Sequence, residues 1–120
     1  MEKLIILSDL WGSLKSDWLP HYTEILEKHF EIEYYDCREL GEIDLKECTE
    51  EKIHQQFMNG GIDRAIKYLL KKEYDNLNVL GFSIGGYIAW KSALEGVKAK
   101  KIIAISSTRL RYENEKPQCE

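Results

Sequence analysis

The amino-acid sequence predicts an α/β protein, a parallel sheet of about four strands with helices on both faces. Three observations carry that prediction. Short apolar runs alternate with segments of helical period in the order βαβαβαβ, the pattern of right-handed crossovers between parallel strands. The first run, Leu4-Ile5-Ile6-Leu7, is continuously apolar, as a strand buried on both faces requires. No repeat or low-complexity linker interrupts the 120 residues, so residues 1–120 read as a single domain.

Each element has its own local signal. Residues 3–8 form the first strand. Residues 17–30 follow as a helix, with Trp18, Tyr22, Ile25, Leu26 and Phe30 at helical spacing and Pro20 tolerated in the first turn. Residues 31–35 alternate enough to point to a strand in a more exposed position. The stretch 49–72 is helical but broken at Asn59-Gly60-Gly61, where glycine permits backbone angles a helix does not use. Ile62, Ala65, Ile66, Leu69 and Leu70 form the apolar stripe of its second half. Residues 77–82 make the third strand, 84–94 a helix apolar nearly all round, and 101–106 the fourth strand. The tail from Arg109 to Glu120 is polar, contains Pro117 and has neither period.

Composition narrows the function classes. A hydrophobic content of 43% with 32% charged residues suits an ordinary globule. A chain of this length buries roughly two-thirds of its unfolded surface. The net charge of −4, without a basic face, argues against a nucleic-acid partner. Lys71, Lys72, Lys98, Lys100 and Lys101 stand at the ends of apolar segments, where they solvate helix ends and strand edges. The apolar residues 4–7 are too few for a signal sequence or a membrane span, so no membrane partner is expected. Cys37, Cys48 and Cys119 are scattered, with no CxxC pair and no histidine-rich spacing beside them. That pattern predicts free thiols in a reducing compartment, hence a cytoplasmic protein, and no metal or other cofactor.

Sites in parallel sheets lie beyond the carboxyl ends of the strands, which singles out the loops 8–13, 82–86 and 106–109. The second contains Gly81-Phe82-Ser83-Ile84-Gly85-Gly86, a G-x-S-x-G sequence between a strand and a helix. Such a sequence arises by chance in roughly one chain in 25 of this length, so its placement at a strand–helix junction carries the weight. There it forces a tight turn that turns the Ser83 hydroxyl into the crevice. The turn glycines Gly81, Gly85 and Gly86 leave out side chains that would collide with the neighbouring strand or helix. The helix opening at Ile84 presents unpaired N–H groups and the positive end of its dipole. The Ile84 N–H, following the nucleophile, is the expected first oxyanion donor. The bland alternative is a small-residue turn that merely packs the helix.

With that turn in place, the chain resembles the α/β-hydrolase superfamily in its small, lid-poor, single-domain form. The resemblance runs from the family's third strand through its sixth and covers most of the chain. It implies hydrolysis of an ester, thioester or related acyl bond in a small-molecule substrate, with Ser83 as the nucleophile. It also implies a second oxyanion donor from the loop after the first strand. Many members carry His-Gly and an aromatic residue there; this sequence has Ser8-Asp9-Leu10-Trp11-Gly12, so either Leu10 or Trp11 supplies the N–H. Trp11 and Trp18 are candidates for an acyl pocket, although large aromatics at such places are more often packing.

The rest of a triad does not follow. A serine nucleophile needs a base within hydrogen-bond reach and a carboxylate to orient it. The family order is Ser, then Asp or Glu, then His. After Ser83 come Glu95, Glu113, Glu115 and Glu120, but no histidine and no aspartate. His21, His29 and His54 all precede Ser83 on predicted helices; His21 lies nearest the first loop, and all three read as surface residues. Glu113 or Glu115 would mimic an acid after the sixth strand, yet would orient nothing without a histidine. The expectation is the N-terminal part of a hydrolase, inactive or nearly so alone. The edge of its fourth strand would be open to a homodimer.

Three other readings compete. A non-catalytic α/β interaction module would keep Ser83 as a relic. Asp9-Leu10-Trp11-Gly12-Ser13-Leu14 resembles the D-x-D-G-T-L motif of haloacid-dehalogenase-like phosphatases, with Asp9 as nucleophile and Ser106 or Ser107 holding phosphate. Trp11 stands where that motif needs its second aspartate, and the acidic pair for magnesium is missing. A dinucleotide-binding G-x-G-x-x-G would need glycine where Ser83 stands.

Overall fold

Four strands form one all-parallel sheet in the order β2-β1-β3-β4. The computed structural model describes residues 2–12, 19–44, 46, 49–72 and 77–106. The strands are β1 (Glu2–Leu7), β2 (Phe30–Tyr35), β3 (Leu77–Phe82) and β4 (Ala99–Ile105). The helices are α1 (Leu19–Leu26), α2 (Cys37–Leu40), α3 (Glu50–Gln56), α4 (Ile62–Lys71) and α5 (Ile84–Glu95).

Strand composition decides strand position. All six residues of β3 are buried, and so are the last four of β1, which places the two most apolar runs in the middle. The edges go to the mixed strands, with Glu31 and Glu33 on β2 and Lys100 and Lys101 on β4. Charged residues on an edge discourage unwanted pairing.

Alternation along the strands then divides the core in two. Ile5, Leu7, Leu77 and Val79 face one side, against Ala65, Ile66 and Leu69 of α4 and Ile84, Ile88 and Ala89 of α5. Leu4, Ile6, Leu80 and Phe82 face the other side, against Leu19 and Leu26 of α1 and the apolar side chains of β2. Each such side chain withdrawn from water contributes roughly 1.5–3 kcal/mol. The result is the expected α/β arrangement with helices on both faces of a parallel sheet.

Several boundaries differ from the sequence reading. The first helix spans only Leu19–Leu26 among the described residues. Phe30 has helical spacing but opens β2, because pairing with Glu2 at the start of β1 offers it a ladder. His29 consequently sits in the turn before β2 rather than on a helix. The short helix α2 was not foreseen. Asp36 starts it by accepting the Arg38 N–H at 2.8 Å. β4 begins at Ala99, two residues early, because a register shift after Leu77 takes up Lys100, which contacts Glu2.

The break in the second helical stretch lies where glycine was expected to place it. Asn59 (φ −89, ψ 36) and Gly60 (φ 114, ψ −12) leave helical geometry between α3 and α4. The Arg64 guanidinium, donating Nε–H to the Gly41 carbonyl at 2.8 Å, ties this kink to the end of α2.

One contact governs the rest of the packing. A Cβ on Gly85 would lie 2.6 Å from the Leu7 carbonyl oxygen and would also collide with that of Ser8. Both obstacles are backbone at the carboxyl end of β1, one on the strand and one just past it, and neither is the movable end of a side chain. Gly85→Ala is therefore expected to destabilise the fold by at least about 3 kcal/mol. Urea denaturation checks this, and a loss below about 1 kcal/mol would show that the approach is not rigid.

Candidate active site

The sheet has one topological switch point. From β1 the chain crosses to β2 on one side, then returns through α3 and α4 to β3 on the other side of β1. Loops at the carboxyl ends of β1 and β3 therefore part in opposite directions, and the position between them is where open α/β sheets usually bind a ligand in a crevice. Ser8 to Gly12 form one lip, and the turn at Ser83 forms the other.

Ser83 has φ 54 and ψ −116, outside both helical and extended geometry. A side chain held there costs roughly 1–3 kcal/mol. The surroundings leave no alternative. The Ser83 N–H donates to the Ile105 carbonyl at 2.7 Å, which pins the turn to β4. The Ser83 carbonyl accepts the Gly86 and Tyr87 N–H groups at 3.0 and 3.3 Å, which starts α5. A Cβ on Gly81 would stand 2.5 Å from the Gly85 carbonyl oxygen and the Gly86 nitrogen. Strand and helix thus meet backbone to backbone, and the collisions expected at both motif glycines are present. Ile84 is the first residue of α5, so its N–H has no intrahelical acceptor and points toward the crevice end of the dipole.

The opposite lip is organised by Asp9. Its Oδ1 accepts the Trp11 N–H at 3.0 Å, and its carbonyl accepts the Gly12 N–H at 3.2 Å. Gly12 takes φ +61, with the Asp36 carboxylate lying where a Cβ would be. Partial burial raises the Asp9 carboxyl above the ordinary carboxylate range, and repulsion from Asp36 adds to this; the Trp11 and Gly12 N–H groups pull the other way. Of the two candidate oxyanion donors in this loop, Trp11 already gives its N–H to Asp9. The Leu10 N–H has no acceptor among the described residues, and the buried Leu10 side chain anchors the peptide.

The ends of β1 and β2 are tied together beneath this lip. Ser8 Oγ accepts the Cys37 N–H at 2.7 Å and donates to the Asp9 carbonyl at 3.0 Å. Cys37 Sγ donates to the Ser8 carbonyl at 3.2 Å, and burial pushes its thiol up to about 12. Cys37 is therefore a packing thiol and not a nucleophile. Asp36 escaped the sequence reading, although an aspartate at the end of a strand, with glycine five residues on, is a readable helix cap; Cys37 is the free thiol expected.

The histidines remain apart from the serine. His21 is exposed on the first turn of α1, His54 is exposed on α3, and His29 lies at the amino end of the sheet, away from the crevice. None hydrogen-bonds to Ser83. The helix that carries His21, α1, packs near the end of β3, its Tyr22 ring meeting Phe82 edge-on at 5.5 Å. Trp18, Cys48, Ser107, Glu113, Glu115 and Cys119 lie outside the described residues. Among the described residues there is no group of three or more His, Cys, Asp or Glu side chains able to hold a metal, and no helix long and apolar enough to cross a membrane. No family model and no curated protein matches the chain.

Two variants probe this geometry. Ser83→Gly should be more stable than Ser83→Ala by about 1–2 kcal/mol, because only glycine relieves the left-handed φ. Equal melting temperatures would contradict the strain. Asp9 has a folded pKa above its unfolded value, so its contribution to stability is full below the ordinary value of 3.8 and is lost as pH rises through the raised one. Asp9→Asn, which keeps an acceptor for Trp11 without the charge, should therefore melt higher than the parent at pH 7. That advantage should shrink as pH falls toward 4, measured as paired thermal melts.

Proposed function

We propose that this chain carries the nucleophile and oxyanion half of a serine hydrolase of the α/β-hydrolase type. Its substrate is a small molecule with an ester, thioester or related acyl bond. The observation that carries this reading is the backbone of Ser83, an L-residue held at φ 54 at the switch point of a parallel sheet. A turn that served only packing would be relaxed by glycine, and sustained strain at a crevice points to a placed side chain.

In this reading Ser83 Oγ attacks the acyl carbon, and the carbonyl oxygen takes up the displaced electron pair. The N–H groups of Ile84 and Leu10 then stabilise that oxyanion. The chemistry needs no cofactor. None of the described histidines hydrogen-bonds to Ser83, and in this reading the chain alone, without a histidine base, is a slow catalyst. A buried, protonated Cys37 suits a reducing compartment, and we place the protein in the cytoplasm. The outer edge of β4, with Ile103 56% exposed, is the surface for self-association.

Mass spectrometry of the protein treated with a fluorophosphonate or an activated aryl ester tests the assignment. A slow, single modification on Ser83 is expected, absent in Ser83→Ala. Oxyanion donors without a base leave an acceleration of roughly a thousand-fold over water. Unchanged modification of Ser83→Ala, or none in the parent, would rule the nucleophile out.

A further inference from the structure

Among the described residues only Glu42, Ser83 and Ser106 combine a side chain with a left-handed φ, at 55, 54 and 56. Glu42 belongs to the turn that closes α2, where its N–H donates to the Glu39 carbonyl at 3.1 Å. Ser83 is the strand–helix turn. Ser106 follows β4, is exposed, and makes no hydrogen bond among the described residues. Among the described residues, no hydrogen bond of its own accounts for its conformation.

Its position does suggest an account. Phe82 pairs with Ile105, and the Ser83 N–H donates to the Ile105 carbonyl at 2.7 Å. Ser83 and Ser106 therefore each directly follow the last paired residues of β3 and β4. Gly81 pairs with both Leu7 and Ala104, so Asp9, Ser83 and Ser106 all follow the carboxyl ends of the three neighbouring strands. The Leu10 N–H lies on the β1 side of Ser83 and Ser106 on the β4 side. A carbonyl oxygen drawn toward β1 leaves another substituent of the acyl carbon directed at Ser106.

We propose that Ser106 is a second substrate-contacting residue of this crevice, its hydroxyl donating a hydrogen bond to the leaving-group oxygen of the ester; this rests on Ser83 being the nucleophile. The Ser83 Oγ–carbon bond forms as its proton passes to water. The carbon–oxygen bond to the leaving group then breaks, and that oxygen departs with the electron pair and takes a proton from water. Ser106 is not consumed. Because a thioether-like sulfur accepts hydrogen bonds weakly, Ser106 selects oxygen esters over thioesters.

Acetylation of Ser83 by phenyl acetate and by S-phenyl thioacetate, followed by mass spectrometry, tests this. Ser106→Ala and Ser106→Gly should each slow the oxygen ester three- to ten-fold, roughly the worth of one neutral hydrogen bond, and leave the thioester rate unchanged. Ser106→Gly should also melt higher than Ser106→Ala, which separates relief of backbone strain from loss of the hydroxyl. Equal slowing of both esters, or no slowing of either, overturns the role of Ser106 while Ser83 acetylation stands. Acetylation that persists in Ser83→Ala, or is absent from the parent, overturns the nucleophile and this inference with it.

Discussion

Three stretches of backbone meet with no side chain between them where β3 ends, and the architecture around the crevice depends on that contact. Gly81 lets the start of α5 fold back against the strand it leaves, and Gly85 lets the same helix turn touch the Leu7 and Ser8 carbonyls of β1. A chain that reverses so tightly has to spend one residue outside the ordinary backbone regions, and that residue is Ser83. The strain at Ser83 and the closeness of β1, β3 and α5 are therefore two descriptions of one constraint. Roughly 1–3 kcal/mol of backbone cost is offset by the burial of Ile84, Ile88 and Ala89, which the same close approach presses onto the sheet.

Strand order reverses at the same place, which is where a ligand position is expected in an open α/β sheet. Had β3 followed β2 outward on the same side, Ser83 would have faced a continuous row of loops. Instead its turn stands beside Asp9 to Gly12, and the polar ties beneath that lip hold it to β2. The lip is built from a carboxylate that is half withdrawn from water yet satisfied by its own backbone N–H groups. Its shape is consequently coupled to its charge.

Much of this was legible in the residues themselves. The apolar run of β1, the strand–turn–helix at Gly81 to Gly86 and the glycine break at residues 59–61 each have a local cause, and each is found. Where local signals competed with pairing, they lost: Phe30 leaves its helical spacing to join β1, and Ala99 joins β4 two residues early. The choice between Leu10 and Trp11 was not readable, since it turns on which N–H the Asp9 side chain occupies. The conformation of Ser106 was equally silent, because serine carries no preference for a left-handed φ.

The sequence alone determined the fold class, the two-sided burial of β1 and the strand–turn–helix at Ser83, because burial on two faces and omission of a Cβ are properties of residue type. Only the tertiary structure decided which strands neighbour one another, and hence that Asp9, Ser83 and Ser106 share one edge. It also kept the histidines from hydrogen-bonding to Ser83. Those outcomes depend on the register and crossing of segments distant in the chain, which no local spacing encodes.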